Sequence, residues 1–327
     1  MRNIRRILVA IKDPRAKSLP AVLKAAQLAR ACGADIELFH GIAATVYADI
    51  FSLQNVSLAG IERDMRAQQL RALEMIAVRL RKHGINVTVS AEADFPVYEA
   101  IVRRAILIKA DLIVAECHAG RRVAPSLLRL TDWELLQLSP LPVLLVKDRR
   151  PYRHPVVLAA IDPTHAFSKP TGLDRQILQS STEIQRALRG TLHAVHAYIT
   201  LPLYVGNGFV DNFGVAAEIE KTAATRAKKQ FEHALKSVHM PAKRRHLMER
   251  TAELAIPAVA KKIGSALVVM GAISRSGLKR VFIGNTAERV LDDLLCDVLV
   301  VKPKGFKTSV KSEARGLRWV ASSASMM

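Results

Sequence analysis

Ala266–Lys302, ALVVMGAISRSGLKRVFIGNTAERVLDDLLCDVLVVK, is the stretch whose reading decides the fold. It opens and closes on short apolar runs rich in β-branched residues, Leu267-Val268-Val269-Met270 and Val298-Leu299-Val300-Val301, which predict strands buried on both faces. Between them, Gly271, Gly277 and Gly284 place side-chain-free backbone after the first strand, and Asn285-Thr286 offers an N-cap for a helix over Ala287–Leu295. Two readings stand for this loop. It is plain architecture, or it is an anion cradle in which unpaired N–H groups and the positive end of a helix dipole converge.

Outward from that stretch the chain alternates strand and helix. Ile7–Ile11 reads as a first strand and Pro20–Cys32 as an amphipathic helix stopped by Gly33. Ile36–His40 reads as a second strand, Ile61–His83 as a long helix and Val87–Val89 as a third strand. A helix over Val97–Lys109 then precedes strands at Leu112–Ala115 and Val143–Val146. Such alternation predicts a parallel, doubly wound sheet, because parallel neighbours need crossover connections.

From Pro155 the pattern starts again. Val157–Asp162 repeats Ile7–Lys12, and Leu192–His196 repeats Ile36–His40. Thr286 stands 155 positions after Thr131, and Lys302 stands 155 after Lys147. The sequence is therefore read as a tandem duplication: a first domain over 1–148, a Pro/Arg-rich boundary, a second domain over 155–303, and a basic Ala/Ser-rich tail over 304–327 expected to be disordered. Two like domains in one chain are expected to pack as a pseudo-dimer. The same register sets Glu116, Arg122 and Arg129 where the second copy has Gly271, Gly277 and Gly284, and Lys12 where it has Asp162. Any phosphate site is accordingly expected in the second domain.

Composition sets the class. The chain has 327 residues, 50% of them apolar, which is enough for two packed cores. Its apolar runs reach only about five to seven residues, too short for a membrane span. Ile7–Ile11 is too short for a signal-peptide core and is closed by Lys12-Asp13, so a cytoplasmic location is expected. Cys32, Cys117 and Cys296 are widely spaced and read as reduced, buried thiols with no metal-ligand spacing. The net charge of +20 points toward anionic partners, yet only 5% of residues are aromatic and the basic residues are scattered. Without stacking platforms, a solvated basic surface is favoured over nucleic-acid binding.

At Thr131–Leu136, Pro142–Asp148 and Gly284–Glu288 the chain resembles the universal stress proteins, and among them the tandem E-type branch. The resemblance covers nearly the whole chain. It implies two domains of the HUP or Rossmann-like α/β type, each a five-stranded parallel sheet flanked by helices. In the nucleotide-binding branch of that family, a loop of the pattern Gly, two residues, Gly, nine residues, Gly, Ser/Thr holds ATP phosphates, while an Asp at the end of the first strand and backbone at the end of the second hold ribose and adenine. Carried over, the implied set is Ala160, Ile161, Asp162, Ala197, Met270, Gly271, Ser274, Gly277, Gly284, Asn285 and Thr286. The chain departs from the pattern twice: Ser274 replaces the second glycine and Asn285 the Ser/Thr.

Other candidates are weighed against plainer uses. Asp162-Pro163-Thr164 orients a ribose or forms an Asx-type turn. His40 and His196 occupy equivalent strand ends, and the structural reading is favoured because duplication alone produces the symmetry. Trp133 is read as packing. No nucleophile elbow, Walker A motif or metal-ligand cluster is found, so no catalytic or metal residue is assigned. The apolar connections Tyr47–Leu58 and Tyr198–Phe213 must bury against something: the partner domain, a second chain or an apolar ligand. The expected function is a cytoplasmic stress-response protein that binds ATP (with Mg²⁺) or another adenine nucleotide in its second domain and turns it over only incidentally. The alternative is a non-nucleotide module for an apolar or lipid-like small molecule or protein partners, with further homo-oligomerisation open.

Overall fold

A computed structural model describes residues 4–42, 45–48, 58–117, 130–164, 172–199, 204–205, 208–209, 213–271, 285–316 and 318–321. The chain divides into two compact units, one of Arg153–Gly305 and one of Arg2–Tyr152 together with Phe306–Met327.

The first unit runs β1 (Arg6–Ala10), α1 (Pro20–Cys32), β2 (Asp35–Ile42), β3 (Thr45–Ala48), α2 (Leu58–Arg81), β4 (Val87–Ala93), α3 (Val97–Leu107), β5 (Leu112–Glu116), α4 (Leu130–Leu138) and β6 (Val143–Val146). Its main sheet has the order β6-β5-β1-β2-β4, with each neighbouring pair parallel. The continuous apolar runs occupy its centre: Ile7, Leu8, Val9, Leu112, Ile113 and Val114 are wholly buried. That is the burial expected of strands covered by helices on both faces.

The second unit repeats the plan with β7 (Val156–Ala160), α5 (Leu173–Ala187), β8 (Thr191–Tyr198), the short pair β9 (Tyr204–Val205) and β10 (Gly208–Phe209), α6 (Phe213–Leu235), β11 (Arg245–Glu249), α7 (Ala252–Lys262), β12 (Leu267–Gly271), α8 (Asn285–Asp293) and β13 (Asp297–Val301). Its sheet order is β11-β8-β7-β12-β13, again parallel, which is the first unit's order with each strand replaced by its repeat. Strands β5 and β12 start at Leu112 and Leu267 and end at Glu116 and Gly271, the same register that the Thr131/Thr286 spacing requires.

The tail differs from its expected disorder. Phe306–Arg315 lies against the first unit, and Arg318–Ala321 forms a strand, β14, paired in parallel with β3. The physical reason is a pair of buried carboxylates. Asp94 is 1% exposed and Glu99 is 7% exposed. The backbone N–H of Arg315 donates to Asp94 Oδ1 at 2.8 Å, its Nη2 donates to Glu99 Oε1 at 3.1 Å, and Arg103 Nη1 donates to the Lys311 carbonyl at 2.8 Å. Arg103 also pairs with Asp94. The tail's basic composition thus finds specific acceptors. Sequence periodicity carries no trace of them, because they lie more than 200 residues away.

Two further boundaries moved. The long connection after β2 contains β3, and Asn285, expected as a cap, is the first residue of α8. Most of Tyr47–Leu58 and Tyr198–Phe213 lies outside the described residues, as do Ser274, Gly277 and Gly284. Among the described residues no helix is long and apolar enough to cross a membrane.

Candidate functional site

In the second unit the chain leaves β7 for β8 on one side, and later returns to β12 on the other. The chain thus reverses direction at β7, and at such a switch point the carboxyl ends of neighbouring strands flank a crevice, the place where open α/β sheets bind ligands. Of the sequence-derived set, Ala160 ends β7 with Ile161 and Asp162 directly after it, Ala197 is near the end of β8, and Met270 and Gly271 end β12. The structure brings these six to three adjacent strand ends. Asn285 and Thr286 open α8.

Asp162 is the polar centre of the crevice. Its backbone N–H donates to Oδ1 of Asp174 at 3.0 Å, and its own Oδ1 accepts from the Thr164 hydroxyl at 2.6 Å. These bonds hold both backbone and carboxylate while leaving the side chain 28% exposed, open to a hydroxyl donor. The bond to Thr164 runs side chain to side chain, so it orients the carboxylate instead of closing an Asx turn through the backbone. His196, wholly buried, donates Nδ1–H to the Ile161 carbonyl at 3.3 Å and lies tilted against Phe231. In the first unit His40 makes the same bond to the Ile11 carbonyl at 2.8 Å. Burial lowers the His40 pKa, with the Ile11 carbonyl and Asp13 opposing. Both histidines therefore tie one strand end to the next, which is the structural role the repeat suggested.

Gly271 has a packing reason of its own. A Cβ there would sit 2.7 Å from Leu173 Cδ2 and 3.2 Å from Ile177 Cδ1, so a side chain at the end of β12 would have to displace these buried residues of α5. The glycine that drew attention in sequence is thus required by helix–sheet approach whether or not a phosphate binds.

Two residues at the carboxyl side of the sheet were not assigned to the site from sequence. Asp174, in the first turn of α5, is buried and holds the Asp162 backbone. Lys302, the residue after β13, is 6% exposed, and burial pushes its pKa down to about 7. Acidic residues open many helices and lysines follow many strands, so neither position carried a motif.

The equivalent crevice of the first unit is chemically different. Glu116 ends β5 where β12 has Gly271, and burial raises its pKa while Arg149 and Lys12 act to lower it. A lysine, a carboxylate and an arginine thus act on one another there, where the second unit has an exposed carboxylate and a glycine. Among the described residues no three His, Cys, Asp or Glu side chains cluster as metal ligands would.

The comparisons agree with this architecture. The family model described as "Universal stress protein family" matches residues 3–147 and 169–302. "Universal stress protein E" of Photorhabdus laumondii is 26% identical over 326 residues, covering 95% of this chain and 99% of the relative. "Universal stress protein E" of Escherichia coli K12 is 25% identical over 317 residues, covering 93% of this chain and 96% of the relative. Among solved structures, a functionally unknown protein from Pseudomonas aeruginosa PAO1 aligns with a TM-score of 0.71 at 25% identity, covering 92% of this chain and 93% of that one. A universal stress protein from Archaeoglobus fulgidus shares the fold, with a TM-score of 0.59 at 16% identity over 94% of this chain and 98% of that one.

Proposed function

The chain belongs to the universal stress protein family, and from that premise we propose that it is a ligand-binding stress protein whose second domain takes an adenine nucleotide at the carboxyl ends of β7, β8 and β12. The observation that supports this most is the oriented, solvent-open Asp162 carboxylate at the sheet's switch point, set against Lys12 at the repeat-equivalent position. A carboxylate accepts from ribose hydroxyls, and the backbone at Ala197 would take the adenine. Helix α8, opened by Asn285 and Thr286, offers an N-terminus suited to phosphate oxygens. Any Mg²⁺ would arrive with the phosphates.

Binding, not turnover, is the proposed activity: the groups around Asp162 position and hold, and neither Asp174, spent on the backbone of Asp162, nor the buried His196 faces a reacting centre. Calorimetric titration of ATP with Mg²⁺ tests the reading. The wild-type chain should bind, and Asp162→Ala and Gly284→Glu should each weaken binding by about tenfold or more, the loss expected when a charged hydrogen bond or phosphate access is removed. An absence of heat with the wild-type chain would overturn it.

A further inference from the structure

The amino ends of β8 and β11 carry a second polar cluster, away from the crevice at the carboxyl ends. His193, the third residue of β8, and His246, the second of β11, approach with Nδ1···Nε2 of 3.0 Å. Their rings are nearly parallel at 7°, with centroids 5.3 Å apart. The nitrogens are closer than the centroids by about two ring radii, so the rings meet edge to edge in one plane. That is an N–H···N hydrogen bond, and it requires one ring to be unprotonated at the shared face. Nitrogens aimed at each other in this way share a proton; their lone pairs do not converge on a metal.

The charges around the pair share one sign. Arg244, in the 3-10 turn Ala242–Arg244 that leads into β11, bears on His193, and Lys262, at the end of α7, bears on His246. Burial lowers the pKa of both histidines, and these two cations lower them further. Helix α6 covers the opposite face, where His196 meets Phe231. On the histidine face, α7 brings Lys262 to bear on the pair, while its sole acid, Glu253, sits at the other end of the helix, paired with Arg289 at 3.1 Å. Arg245 is occupied by Glu232 and by the Met240 carbonyl, and Glu249 lies near the Tyr198 hydroxyl. A half-exposed histidine pair in mutual contact therefore lies in the field of Arg244 and Lys262, with the neighbouring acids engaged elsewhere.

We propose that His193, His246, Arg244 and Lys262 form a binding site for a tetrahedral oxyanion, and that binding takes up one proton. Without the anion, the pair holds a single proton between its facing nitrogens. With the anion, the facing bond opens, a proton from solvent converts the acceptor ring to an imidazolium while the donor ring stays neutral, and the facing N–H of each ring donates to anion oxygens alongside the guanidinium and ammonium. Binding is then favoured as pH falls through the histidine range. The site differs from the nucleotide crevice in place and in sign of charge, and does not depend on it.

Sulfate is the suitable probe because it stays a dianion across this range. The imidazole Cε1–H resonances of the full chain, followed by NMR during sulfate titration, should report affinity about tenfold higher for each unit the pH is lowered between roughly pH 8 and 6. Calorimetry in two buffers of different ionisation heat should show uptake of about one proton. Lys262→Ala should weaken binding at both pH values, and the double variant His193→Gln, His246→Gln should abolish the pH dependence. Titration with glycerol phosphate separates a free ion from a phosphoryl group on a larger molecule: tighter binding than sulfate assigns the latter, equal binding the former, and both support the site. Equal sulfate affinity at the two pH values, or binding unchanged in Lys262→Ala with its melting temperature intact, overturns the proposal. Loss of ATP binding leaves it standing.

Discussion

Arg315 donates its backbone N–H to the buried Asp94 carboxylate across 221 residues of sequence, so the last described segment of the chain is built into the first domain. The chain leaves the second domain at β13 and completes the first, where Arg103 and Arg315 together neutralise Asp94 and Glu99.

Removing parts of that contact should have unequal effects. Arg315 has a 56% exposed side chain, so Arg315→Ala should cost less than about 1 kcal/mol. Asp94→Ala strips a partner from Arg103, whose side chain is only 13% exposed, and should cost about 3 kcal/mol or more. Chemical denaturation of the two variants measures both, and a chain ending at Gly305 should lose stability in the first domain alone.

Gly271→Ala should destabilise the second domain by about 1–3 kcal/mol without any ligand present, because the new methyl group overlaps Leu173. The double variant Gly271→Ala, Leu173→Ala should recover part of that loss. If Gly271→Ala alone leaves the melting temperature unchanged, the packing account of this glycine is wrong.

Lys302 ties stability to pH. Its folded pKa, near 7, lies below the usual 10.5, so between those values the unfolded chain holds a proton the folded chain lacks. Stability should therefore rise with pH across that window, by about 1.4 kcal/mol per unit attributable to this one group, and the penalty should be complete below pH 7. Lys302→Met should remove that slope, read as the difference between the two proteins' unfolding free energies at a series of pH values.

The buried Glu37, 5% exposed, accepts from Ser90 Oγ at 2.5 Å and pairs with Arg104 Nε at 2.6 Å. Glu37→Ala should cost about 3–5 kcal/mol by leaving Arg104 without its inner partner. Glu37→Gln, which keeps a neutral acceptor for Ser90, should cost less. Equal losses for the two would show that charge is unimportant there.

Much of the fold was legible in the chain because its signals are local or periodic. Apolar runs such as Leu112–Ala115 and Leu267–Met270 mark doubly covered strands wherever they occur, and a constant spacing between Thr131 and Thr286 marks duplication without any coordinates. Asp162 was legible for the same reason, as the odd member of a repeated strand end. Asp174 and Lys302 were not, since a residue's burial and its partner depend on which elements pack together.

By itself, then, the sequence determined two copies of one parallel α/β plan and the asymmetry between Asp162 and Lys12, since residue type, periodicity and repeat spacing are properties of the chain alone. Only the tertiary structure decided that the basic tail closes on Asp94 and Glu99, that Gly271 is small because Leu173 lies against it, and that His193 and His246 meet nitrogen to nitrogen. Each of those depends on distance between residues far apart in the chain. Close approach, burial and the sharing of a hydrogen arise only when packing brings such residues together.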